Sequence, residues 1–61
     1  MNDINLAVEH YDHARTEHTE CTARIIAELY LRRKMQGIDA NQAAELLADA
    51  LALRAAAKVN P

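Results

Sequence analysis

The stretch Gln36-Gly37-Ile38-Asp39-Ala40-Asn41-Gln42 divides this chain. Gly37 suits the left-handed position just past a helix end. Arg32, Arg33 and Lys34 precede it, where the helix dipole favours cations. Asp39 is a good N-cap, and Gln42, three residues on, completes a capping box. Ile38 is placed ahead of the cap to staple onto Ala43. Nothing else breaks a helical pattern until Val59-Asn60-Pro61, which ends the second helix. The sequence therefore predicts an all-α fold, a single domain over residues 1–61. Two helices, at about 3–36 and 40–58, form an antiparallel hairpin. Within the first helix Thr16, Thr19, Cys21 and Thr22 are mediocre helix formers and make its weakest part.

The predicted helices differ in length, about 50 Å against about 28 Å. Folded back at Gly37, the second covers only the C-terminal half of the first. The N-terminal half is left in need of another partner. Its apolar residues Ile4, Ala7, Val8, Tyr11 and Ala14 form one narrow stripe, which continues through His18 and Cys21 to Ile25 and Leu29. Further along, the apolar arc widens to Ala23, Ile26, Ala27, Tyr30 and Leu31. The second helix is apolar over most of its circumference. The predicted hairpin core is Ile26, Tyr30, Ala43, Leu46, Leu47, Ala50, Leu51 and Leu53.

Composition points to self-association. The chain has 61 residues, thirteen of them alanine, no Trp or Phe, and only Tyr11 and Tyr30 as aromatics. A domain this small buries a modest share of its surface, and alanine adds little area. Charge is segregated as well. Residues 1–23 carry a net charge of −4, residues 24–36 +3 and residues 37–61 −1. Two copies laid antiparallel set acid against base. The expectation is an antiparallel homodimer, forming a four-helix arrangement, with Ile4, Ala7, Val8, Tyr11, Ala14, His18, Cys21, Ile25 and Leu29 at its seam.

Several chemistries are disfavoured. The single cysteine, Cys21, excludes an internal disulfide framework and a cysteine-only zinc site. No run approaches the ~20 apolar residues of a membrane span. Met1-Asn2-Asp3 lacks the charge pattern of a signal peptide, so a reducing cytoplasmic setting is expected. One glycine and one proline leave no glycine-rich phosphate loop. There is no serine, and a hairpin offers little room for a pocket with an orienting group, so no enzymatic activity and no cofactor are expected.

His10, His13, His18 and Cys21 are weak candidate metal ligands. Each pair, His10 with His13 and His18 with Cys21, shares a helix face, but the two pairs point about 80–100° apart on a straight helix. The simpler reading puts His10 and His13 in solvent and His18 in the dimer seam. There it would set register and make the dimer weaken on acidification. Cys21 reads as a small packed residue. Arg15 and Arg54 interrupt apolar faces, with their stems along the core edge.

Arg24, Arg32, Arg33 and Lys34 form the only basic cluster, and they spread around the helix. Their simpler role is to complement the helix dipole. The alternative is contact with nucleic acid, for which the net charge of −2 supplies no general electrostatic attraction. In plan the hairpin and its dimer are similar to the small plasmid-encoded Rop-type RNA-binding proteins; the similarity lies in length and layout, with no shared motif. The leading functional expectation is a small, non-enzymatic protein–protein interaction module. It would be a regulator or inhibitor, of the kind common among phage and plasmid accessory products, acting as a homodimer on a larger protein. A nucleic-acid-associated dimer and a pH- or metal-responsive switch are the alternatives.

Overall fold

A computed structural model describes residues 2–59. It contains three helices: α1 (Asp3–Ala14), α2 (Glu20–Lys34) and α3 (Ala40–Val59), with no strand among the described residues. Each helix packs against both others. The expected single helix over 3–36 is thus two helices, and the two-helix plan, with its likeness to Rop-type proteins, gives way to a three-helix bundle. Asn60 and Pro61, read as ending the last helix, lie outside the described residues.

The break at residues 15–19 is built from local hydrogen bonds. Backbone amides of Arg15 and Thr16 donate to the carbonyls of Tyr11 and His13, and those of Glu17 and His18 both donate to Ala14. The Thr16 hydroxyl also donates to the His13 carbonyl at 2.7 Å, the kind of side-chain bond that competes with helix. Thr19 is extended (φ −67°, ψ 162°) and its hydroxyl accepts from the Thr22 amide at 3.2 Å, capping α2. Glu20 then sits in the first turn, where a negative charge suits the dipole. At the start of α1 the Asn2 side chain plays the same part, accepting from the Ile4 amide at 2.8 Å.

The second connection follows the sequence closely. Met35 leaves helical geometry (φ −106°, ψ 83°), ending α2 at Lys34, two residues before the expected Gln36. Gly37 supplies the positive φ of 96° that turns the chain. The Asp39 carboxylate accepts from the Gln42 amide at 2.8 Å, and the Gln42 side chain accepts from the Asp39 amide at 2.9 Å. This reciprocal pair is the capping box.

The buried core is small-residue-rich: Ala7, Tyr11 and Ala14 from α1, Ala23, Ala27 and Leu31 from α2, Ala43 and Leu47 from α3. Ile4, Val8, Ile26, Tyr30, Met35, Ile38, Leu46 and Leu51 pack around it, half-buried. Alanines at helix contacts let backbones approach closely. The break at 15–19 is what makes this core possible, since it folds α1 back onto α2 and α3. The N-terminal stripe that was expected to lack a partner within the chain therefore has one. No helix among the described residues is long and apolar enough to cross a membrane.

Candidate functional site

Folding the chain into three helices redistributes the residues expected at a dimer seam. Ala7, Tyr11 and Ala14 are buried inside one chain, and Ile4 and Val8 are half-buried against the same core. Ala7, Tyr11 and Ala14 are not free to form a seam because α2 and α3 already cover them, whereas Ile4 and Val8 keep one side open to a groove between α1 and α3. His18 falls in the turn and is exposed, as is Cys21 on the first turn of α2. The C-terminal part of the stripe forms an outward apolar face: Ile25 and Leu29, 51% and 50% exposed. They lie one turn apart on the side of α2 opposite Ala23, Ala27 and Leu31, with Cys21 a turn before them.

The expected hairpin core divides similarly. Ala43 and Leu47 are buried, Ile26, Tyr30, Leu46 and Leu51 are half-buried against the core, and Ala50 is half-buried. Leu53 does not belong to the core, since it is 73% exposed. The helices behind α3 cover only one side of its apolar circumference. Leu53 instead lines a groove of about 530 Å³ between α1 and α3, with Ile4, Val8, Leu46 and Ala50. At one end of the groove Arg54 of α3 forms an ion pair with Asp12 of α1. Arg54, expected at a core edge, thus ties two helices together.

The candidate metal ligands do not converge: among the described residues no three of His, Cys, Asp and Glu come together. His10 stacks on Tyr30 across the α1–α2 seam, ring centroids 4.5 Å apart and tilted by 40°. Lys34 lies over the same ring at 5.9 Å, and Arg15 over Tyr11 at 5.6 Å. Both tyrosines are thereby packed within the chain, Tyr11 in the core and Tyr30 at its edge, beneath cations.

The basic residues part company. Lys34 is drawn to Tyr30, and Arg24 lines a smaller recess between α2 and α3 beside Glu28 and Glu45. Arg32 and Arg33 remain exposed, and consecutive helical residues point about 100° apart. No single basic face results. The molecule instead offers two apolar surfaces, the α2 ridge of Ile25 and Leu29 and the α1–α3 groove, on opposite sides of the bundle. No family model, curated protein or solved structure matches the chain.

Proposed function

We propose that this chain is a non-enzymatic protein–protein interaction module that self-associates and docks on a larger protein as a small regulator or inhibitor. The observation that carries the reading is the uncovered pair Ile25 and Leu29, two large aliphatic side chains left half in water on one face of α2. Large apolar residues grouped on one helix face mark contact sites more often than isolated ones do.

The antiparallel homodimer is retained, but its seam moves from the N-terminal stripe to α2. Two α2 helices crossing antiparallel near Ala27 bring the ridges together. The two helix dipoles then oppose, which favours the antiparallel direction. Completing the burial of four half-exposed side chains is worth roughly 4 kcal/mol. The pair is thus a weak one that forms as concentration rises. A nucleic-acid role draws less support, because Lys34 lies over Tyr30 and the neighbouring Arg32 and Arg33 point about 100° apart, leaving no single basic face.

Sedimentation equilibrium from 10 μM to 1 mM tests the reading. The mass should climb from the monomer's 6.8 kDa toward twice that value, and Ile25→Glu with Leu29→Glu should hold it at the monomer. A wild-type chain that stays monomeric throughout overturns the self-association.

A further inference from the structure

We infer that the α1–α3 groove receives one amphipathic helix of the partner protein, with an aliphatic stripe flanked by basic residues. The inference rests on the interaction reading above and names what docks.

The groove is shaped for a helix. Ile4 and Leu46 line it, and each stands eight residues before the Asp12–Arg54 ion pair, so α1 and α3 run parallel with matched register. The groove is therefore straight for about two turns. In an up-down-up bundle the gap between the two parallel helices is where a fourth, descending helix packs. Such a helix also runs antiparallel to both neighbours, with favourable dipoles. Its floor is apolar: Ile4, Val8, Leu46 and the protruding Leu53, which a helix laid beside it would cover.

Charge selects the occupant. Asp49 lines the α3 wall, and Glu9 follows the α1 wall residue Asn5 by one turn. The cation at the groove, Arg54, is already held by Asp12. The α3 wall thus presents the Asp49 carboxylate with no ion-pair partner among the described residues, and Glu9 stands a turn beyond the lining; both favour lysine or arginine flanks and disfavour acidic ones. An acidic amphipathic helix, or one lacking the aliphatic stripe, does not meet these requirements.

The test uses a fluorescein-labelled 14-residue Leu–Lys amphipathic peptide and its Leu–Glu counterpart, read by anisotropy against the full chain. The Leu–Lys peptide should bind saturably at one per chain, and the Leu–Glu peptide at least tenfold more weakly. Leu53→Arg and Asp49→Lys, both at exposed positions, should each weaken Leu–Lys binding about tenfold or more while the far-ultraviolet circular dichroism and melting temperature hold. The Ile25→Glu/Leu29→Glu variant should bind as tightly as wild type, which separates this site from the self-association face. Equal binding by Leu53→Arg and wild type, equal binding of the two peptides, or loss of binding in the α2 variant each overturns the assignment. A wild-type chain that proves monomeric removes the dimer and leaves the peptide result intact.

Discussion

The Tyr11 hydroxyl donates a hydrogen bond to the Glu20 carboxylate at 3.1 Å, joining α1 to the first turn of α2 across the break. Tyr11 is only 3% exposed, so its ring fills the core while its polar tip reaches a partner at the edge. Removing the hydroxyl alone, by Tyr11→Phe, should cost about 1 kcal/mol, a fall in melting temperature of roughly 4–8 °C for a domain of this size. Tyr11→Ala should cost about 3–5 kcal/mol by emptying the core position. Thermal melts followed by circular dichroism distinguish the two; equal losses would mean that the hydrogen bond dominates.

Thr19 starts α2. Thr19→Ala removes the acceptor for the Thr22 amide and should cost about 1 kcal/mol, with Thr19→Asp restoring it. Urea denaturation at neutral pH reads this directly. An unchanged midpoint for Thr19→Ala would show that the helix start is fixed by packing and not by its cap.

At Gly37 the backbone conformation and not space sets the requirement. A Cβ there would meet nothing within 4 Å, yet φ is +96°. Gly37→Ala should therefore cost about 1 kcal/mol. D-alanine at the same place, introduced by chemical synthesis, should be neutral or stabilise by about 0.4–1 kcal/mol, since it restricts the unfolded chain without strain. Destabilisation by both isomers would point to a contact in place of strain.

The Asp12–Arg54 ion pair joins α1 to α3 but both side chains remain partly in water. Surface pairs of this type contribute about 0.2–1 kcal/mol. Asp12→Asn should lower stability by no more than that, and the gap to wild type should shrink in 1 M salt. A double-mutant cycle with Arg54→Gln isolates the coupling.

The sequence carries its local signals faithfully and its tertiary ones poorly. The capping box of Asp39 and Gln42 and the turn at Gly37 were readable because every partner lies within a few residues. The break at 15–19 was hidden because Ala14, His18, Cys21 and Ile25 keep helical spacing through it. Periodicity alone does not register a turn that preserves the period. The overlooked mark was Thr19-Glu20-Cys21-Thr22, a capping threonine followed by an acid, read only as low helix propensity. The groove was obscured for a different reason. α3 is apolar nearly all round, so its sequence does not say which face its neighbours leave bare, and Leu53 was placed inside. Ile25 and Leu29, expected at a dimer seam, stand half exposed on α2; that Tyr11 and Ala14 turn inward depends on the break at 15–19.

Among the described residues, five of the eight that are buried are alanines: Ala7, Ala14, Ala23, Ala27 and Ala43. Mutational sensitivity in such an interior runs opposite to that of a leucine-filled one. Trimming side chains has little to remove at these five positions, whereas each added methyl must push two helix backbones apart. Sequence drift in this chain is therefore constrained from above in volume. Valine or leucine, ordinarily the safest residues for a protein interior, are the least tolerable substitutes here.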